Sequence, residues 1–260
     1  MPDTEMSFWD HFNELRGVLF RIGATLIVLA VAFFILMPDI FDSVILAPCD
    51  SGFPLYRAFD AIVGTDGQAE PFSVNLTNYK LASQMFIHLS TSFHLALIFG
   101  FPIVIYLLWR FVKPGLYPHE RSHATRAFIF GNLMFFLGVA VGYFLVFPLT
   151  LRFLATYQLS ERIPNVISLD SYMDNFMMII LVMGVVFELP LLAWMLGRMR
   201  LLTKAFFKKY RRHAIVALLI AAALITPTGD PVTLLIVFIP LYGLWEFSSN
   251  MVPAPDADEA

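Results

Sequence analysis

The sequence predicts an all-α integral membrane protein with six transmembrane helices, both termini on the cytoplasmic side and the last two helices short. Helices of such unequal length are expected to pack as a curved bundle with a concave face. Composition, the lengths of the apolar runs and the placement of the basic residues carry this reading. Of 260 residues, 58% are hydrophobic and 14% charged, and the mean hydropathy is +0.73; a soluble domain averages about 45–50% and about 25%. An aromatic content of 15% excludes a disordered chain, and 17 Lys+Arg against 20 Asp+Glu excludes a nucleic-acid binder. The single cysteine, Cys49, allows neither an internal disulfide nor a Cys-rich metal site.

The chain opens with a cytoplasmic amphipathic segment, 1–16. Phe8, Phe12, Leu15 and Leu19 follow one another at i, i+4, i+7 and i+11, an apolar stripe suited to the membrane interface. A single membrane domain, 17–250, follows. A helix needs about 20 apolar residues to cross a hydrocarbon core of ~30 Å, and four runs meet that length: 17–37, 81–109, 127–151 and 176–196. The first is not a cleaved signal peptide, because its leader carries Asp3, Glu5, Asp10 and Glu14. Between the first two runs, 38–79 holds Pro38, Pro48, Pro54 and Pro71 with Gly52, Gly64 and Gly67, a pattern for an external folded cap with short helices; 152–170 is a smaller external piece.

Two more apolar runs, 214–227 and 232–245, have 14 residues each, and each reaches only ~21 Å at 1.5 Å per residue. They are read as a short hairpin around Thr226-Pro227-Thr228-Gly229-Asp230-Pro231. The chain ends in a cytoplasmic acidic tail, 251–260. This layout places thirteen Lys and Arg on one side of the membrane, against Arg57, Lys80, Arg152 and Arg162 on the other, so the positive-inside rule makes both ends cytoplasmic.

Three groups of residues carry possible chemistry. His119-Glu120-Arg121-Ser122-His123 matches the H-E-x-x-H zinc-protease pattern, giving the alternative of an integral-membrane zinc metalloprotease with a third ligand from Glu188 or Asp230. The setting is a charged turn at a helix start, where Pro118 and Glu120 suit the first turn on their own account. His88, Ser92 and His94 lie in the second run, but no Gly-x-Ser-x-Gly turn accompanies them, so they are read as polar residues joining packed helices. Glu188 is the sharpest position: an ionisable side chain deep in an apolar run and two residues before Pro190. Facing lipid would cost it ~3 kcal/mol or more, so it is expected to meet a wet groove or a partner.

Five motifs in order resemble the TatC family, the multispanning signal-peptide receptor subunit of the twin-arginine protein translocase. They are His11-Phe12-Asn13-Glu14-Leu15-Arg16; Ala47-Pro48; the loop from Phe111 through Pro114 and Leu116 to Glu120-Arg121; Phe187-Glu188-Leu189-Pro190; and the turn from Thr226 to Pro231. Leu234 departs from the pattern, near a position where many members carry glutamine. The resemblance implies a non-enzymatic receptor, without metal or cofactor, in the bacterial cytoplasmic (inner) membrane. It implies binding of Arg-Arg signal peptides of folded cargo through Glu14, Glu120, Phe111 and Arg16, and assembly with TatA/TatB-type single-span subunits, with further copies of itself and with the lipid bilayer. Glu188 is then the intramembrane partner contact, and Pro48 and Asp230 belong to the external loop and turn. Two guanidinium groups suit two carboxylates in bidentate geometry, and an aromatic wall adds a cation–π surface.

Overall fold

The computed structural model describes residues 8–63, 72–112, 118–160, 162, 165–198, 201–226 and 230–252; within these, the side chains of 8–11, 59–63, 112 and 118–127 lie outside the description. The acidic tail beyond 252 and the Pro227–Gly229 part of the expected hairpin turn are outside the described residues. The chain forms two compact units, residues 1–38 with 88–132, and 39–87 with 133–260. Among the described residues, five helical segments are long and apolar enough to cross a membrane: Phe12–Cys49, Ser83–Phe111, Phe128–Thr156, Leu169–Arg198 and Pro231–Met251.

The first unit rests on α1 (Phe8–Ile40), α3 (Ser83–Val112) and the start of α4 (Pro118–Val141). Alpha1 and α3 run antiparallel: a Cβ on Gly100 would stand 3.0 Å from Leu26 and 3.1 Å from Leu29, and the rings of Phe33 and Phe99 are 5.3 Å apart. The outer face of α1 exposes Phe20, Ile27, Val31 and Ile35, as a lipid-facing stripe must. The first run was expected to end at Met37, yet the helix continues through Pro38. Proline has no N–H for the Phe34 carbonyl four residues back. The His88 ring takes its place, with Nε2 2.8 Å from that carbonyl and the imidazole stacked on the Phe34 ring at 3.9 Å.

The second unit repeats this solution. After α1 the chain makes a π-helical turn, Phe41–Ile45, and a 3₁₀ turn, Ala47–Cys49. Pro48 offers no N–H to the Val44 carbonyl, and the Tyr143 hydroxyl donates to it at 2.8 Å; the Tyr172 hydroxyl donates to Ile45. In the cap, α2 (Pro54–Val63) places the Tyr56 hydroxyl 3.0 Å from the Pro48 carbonyl and 3.1 Å from that of Pro148. Burial pushes the Tyr56 phenol well above the ordinary tyrosine value. Because the folded state holds this proton more tightly, its contribution to stability is complete below about pH 10 and declines above it. Two short parallel strands, β1 (Leu76–Thr77) and β2 (Ile167–Ser168), join the cap to the later external loop. Beside them Asp170 accepts from Ser83 Oγ at 2.6 Å and lies 3.5 Å from Lys80 Nζ.

The third expected run, 127–151, is longer as built: α4 passes through a π-helical turn, Gly142–Val146, into α5 (Phe147–Thr156). The fourth, 176–196, starts earlier and is broken. Alpha6 (Leu169–Val186) stops at Phe187–Glu188 and α7 (Leu189–Arg198) resumes, because Pro190 cannot donate to the Val186 carbonyl. Alpha4 and α6 approach closely over Gly138 and Gly142, a G-x-x-x-G pair that the sequence reading passed over. A Cβ at Gly138 would press on the Met183 carbonyl and stand 2.7 Å from Phe187 Cβ; at Gly184 it would stand 2.9 Å from Phe135. Phe135, Phe147, Met173, Ile179 and Met183, each at most 1% exposed, fill the core around this crossing.

The last pair, α8 (Lys204–Ile225) and α9 (Pro231–Met251), has 22 and 21 residues, so the expected shortness holds for apolar length and not for helix length. Helical structure runs on through the polar ends Lys204–His213 and Glu246–Met251, which lie outside the 14-residue apolar runs.

Replacing Gly138 by alanine should cost about 1–3 kcal/mol by overpacking. Gly23→Ala, with nothing within 4 Å of the new Cβ, should be neutral or stabilising by up to ~1 kcal/mol. Thermal unfolding in detergent measures both, and equal melting temperatures for the two variants would contradict the close α4–α6 crossing.

Candidate functional site

The candidate site lies at the end of the first unit where α1 begins, α3 ends and α4 begins. Starting from the contact of Leu26 with Gly100, about twelve residues back along α1 is Glu14 and about twelve forward along α3 is Val112. The antiparallel register therefore brings Glu14 and Arg16 level with Phe111. Tyr106 and Phe128, rings edge-on at 6.3 Å, hold α3 to α4 just inside this end. Glu14 is exposed and forms neither a hydrogen bond nor an ion pair with another described residue. Arg16 is exposed, with its guanidinium 5.5 Å from the Phe20 ring centroid, and Phe111 is half-buried. Glu120 occupies the first turn of α4, where the helix dipole favours a negative charge; its side chain, like those of His119 and His123, lies outside the described residues. The site thus offers an accessible carboxylate, an aromatic flank and a second acidic position on a neighbouring helix start.

The remaining sequence candidates fall elsewhere. Among the described residues no group of three His, Cys, Asp or Glu could hold a metal ion. Asp230, one of the proposed third ligands, is instead the N-cap of α9, its Oδ1 accepting from the Thr233 N–H at 2.7 Å. His88, Ser92 and His94 form no Ser–His pair: Ser92 Oγ donates to the His88 carbonyl at 2.7 Å, and His94 Nδ1 lies 2.8 Å from the Ser90 carbonyl. Pro48 is buried within the Tyr56 and Tyr143 contacts. Glu188 sits in the break between α6 and α7, half-buried, with one carboxylate oxygen enclosed and without a hydrogen-bond partner. An enclosed carboxylate oxygen without a partner is an unmet hydrogen-bond demand inside the fold.

One polar cluster was missed. Arg211 on α8 holds Glu246 on α9 through Nη2 at 2.6 Å and Nε at 2.7 Å, while the Tyr242 hydroxyl donates to Glu246 at 2.8 Å. Its signal was present in the sequence: Glu246 is the sole charge between Pro231 and Met251.

Long apolar helices, small-residue crossings and charged groups gathered at helix ends define a multi-pass α-helical membrane protein. Within that class, the family model described as "Sec-independent protein translocase protein (TatC)" matches residues 10–240, and the chain belongs to this family. The family is a protein-translocase component, a transporter rather than a catalytic enzyme. Among similar proteins, the Sec-independent protein translocase protein TatC of Blattabacterium sp. subsp. Periplaneta americana is 34% identical over 251 residues, covering 94% of each chain. That of Helicobacter pylori strain J99 is 41% identical over 172 residues, 65% of this chain and 68% of the relative. A crystal structure of "Twin Arginine Translocase Receptor- TatC" superposes with a TM-score of 0.72 at 25% identity, covering 93% of this chain and 97% of that one. Another, of the receptor in DDM, gives 0.73 with 94% and 99% covered.

The N-cap assignment is directly testable. Asp230→Ala should destabilise the protein by about 1 kcal/mol, within a range of about 0.5–2, whereas Asp230→Asn should retain most of the stability. Melting temperatures of the two variants in one detergent decide it, and a loss as large with asparagine would mean that the carboxylate acts through its charge.

Proposed function

We propose that this chain is the receptor and core subunit of a twin-arginine translocase, binding the Arg-Arg motif of signal peptides on folded cargo at its cytoplasmic face. The reading rests on the register that brings Glu14, Arg16 and Phe111 to one end beside the first turn of α4, in a member of the TatC family. Glu14 and Glu120 each take one guanidinium; Phe111 flanks the peptide, and Arg16 sets the register and discourages a third basic residue. An exposed carboxylate with no partner among the described residues is ready to pair without first breaking a contact to any of them. The basic excess on the same side as the amino terminus supports cytoplasmic ends. The location is the bacterial inner membrane, where a receptor must meet folded cargo before it crosses.

Cargo passage requires TatA/TatB-type single-span subunits and further copies of this chain. Glu188 is the contact for a polar residue on a partner's membrane helix, at a water-accessible groove beside the α6–α7 break. The support is its unpartnered oxygen in the α6–α7 break.

Charge-assisted hydrogen bonds contribute about 1.5–3 kcal/mol each, so Glu120→Ala should weaken binding of an Arg-Arg peptide by about tenfold or more. Glu120→Gln should lose much of that affinity too, since the amide keeps shape without charge. Titration of the purified chain with Arg-Arg and Lys-Lys peptides measures this, and an alanine variant that binds both as the parent does would refute the assignment. Glu188→Leu should leave the melting temperature and peptide affinity near the parent's while reducing cross-links to the single-span subunits, with Glu188→Gln intermediate. Unchanged cross-linking and transport in the leucine variant would remove Glu188 from the site.

A further inference from the structure

A second site lies in the other unit, in a cavity of about 340 Å³ between α5, α6 and β2. Its floor is formed by Phe147, Thr150, Leu151 and Asn175, all buried, and its rim by the exposed Asn165 and Val166. Two floor atoms stand out. Thr150, 1% exposed, has no hydrogen-bond partner for its hydroxyl, and Asn175, 9% exposed, has none for Oδ1. The orientation of the Asn175 amide is fixed, because Nδ2 donates to the Ser171 carbonyl at 2.8 Å; turning it would set oxygen against oxygen. Of the other polar groups lining the cavity, the Tyr172 hydroxyl donates to Ile45, Asn165 Nδ2 donates to the Tyr157 carbonyl at 2.7 Å, closing the end of α5, and Ser168 Oγ accepts from the Ser171 N–H at 3.2 Å. On the buried floor, one group that only accepts and one that can donate or accept are left without a partner.

We propose that this cavity binds a neutral polyhydroxylated group, the headgroup of a lipid or a free polyol of the same chemistry. A hydroxyl donates to Asn175 Oδ1, its neighbour exchanges a hydrogen bond with Thr150, and the C–H face of the polyol lies on Phe147 and Leu151. Among the described residues no charged side chain lines the cavity, so a bare phosphate, carboxylate or ammonium would enter uncompensated by them. Water alone fits poorly. The volume corresponds to about eleven molecules at ~30 Å³ each, and buried waters need two to four polar partners apiece, whereas half the floor is hydrocarbon. The depth suits a headgroup as well. Thr150 lies six residues before the end of α5, and Asn175 six after the start of α6, ~9 Å from each helix end at 1.5 Å per residue. That is the zone where headgroups give way to acyl chains.

The test uses the full chain purified in a detergent without a sugar headgroup, with retained lipid counted by native mass spectrometry and stability followed by thermal unfolding. Phosphatidylglycerol, whose terminal glycerol enters the cavity while its phosphodiester stays at the open mouth, should be retained over phosphatidylcholine and should raise the melting temperature. The double variant Thr150→Val with Asn175→Leu should reduce that retention about threefold or more. Val166→Trp, which obstructs the mouth and leaves the floor unchanged, should do the same and keeps the test decisive if the double variant fails to fold. Glycerol or maltose raising the melting temperature of the parent but not of Val166→Trp, without selectivity among lipids, assigns the site to a soluble polyol and upholds the chemistry. Equal retention and equal melting shifts in parent and Val166→Trp with every probe overturn the proposal and leave the cavity to water.

Discussion

A backbone carbonyl released inside a membrane has to find another donor, because lipid supplies none, and much of this architecture follows from how the chain meets that demand. Pro38 releases the Phe34 carbonyl and His88 takes it; Pro48 releases that of Val44 and Tyr143 takes it. In each case the donor comes from a different helical segment, so the repair of a local defect also fixes a tertiary contact. Pro148 and Pro190 are handled within their own segments, by a π-helical turn before α5 and by the break between α6 and α7. The break in turn presents Glu188 at a point where its neighbours are no longer saturated by regular helix.

Close approach between helices is the second determinant. Lipid tails compete equally with leucine for apolar surface, so association depends on fit and on polar contacts between helices. Gly138 and Gly142 let α4 meet α6 almost backbone to backbone, and Phe135 and Met183 fill the space beside them. Polar groups that do not close such crossings collect at helix ends: Glu14, Arg16 and the start of α4 in one unit, and Arg211 with Glu246 in the other. The helix ends are thus free for recognition while the interiors carry the packing.

The spans could be read from sequence because a hydrocarbon layer imposes a minimum apolar length: the runs 17–37 and 127–151 lie inside helical segments, and 81–109 does so from Ser83 on. Their ends could not, since no hydropathy boundary marks where a helix stops once it reaches water; α8 for this reason includes the basic stretch Lys204–His213, which carries five Lys and Arg. Pro190 costs one helical hydrogen bond by its chemistry alone, but whether that yields a kink or a break depends on what packs at Phe187. His88 looked like a candidate for chemistry and proves to be the donor for a proline-released carbonyl, a role invisible without knowing that residue 34 lies opposite. The candidate site was legible through motifs only. Glu14 and Phe111 are ordinary residues singly, and their convergence depends on the α1–α3 register, which no local pattern encodes. Gly138, Gly142 and Glu246 did carry local signals, a four-residue spacing of glycines and a solitary charge.

The two-residue sheet between β1 and β2 has a bearing on how the chain is inserted. Leu76 pairs with Ile167 and Thr77 with Ser168, so residues some ninety positions apart must emerge in the same aqueous compartment. Between them the chain makes two crossings, through α3 and through α4 with α5. Strand pairing is therefore a parity condition. If either crossing failed during synthesis, the strands would be stranded on opposite faces of the bilayer, and Lys80 and Ser83 would be denied Asp170 as well. Four residues of sheet contribute little to the stability of the finished protein, but their formation discriminates a correctly threaded chain from one that has skipped a span.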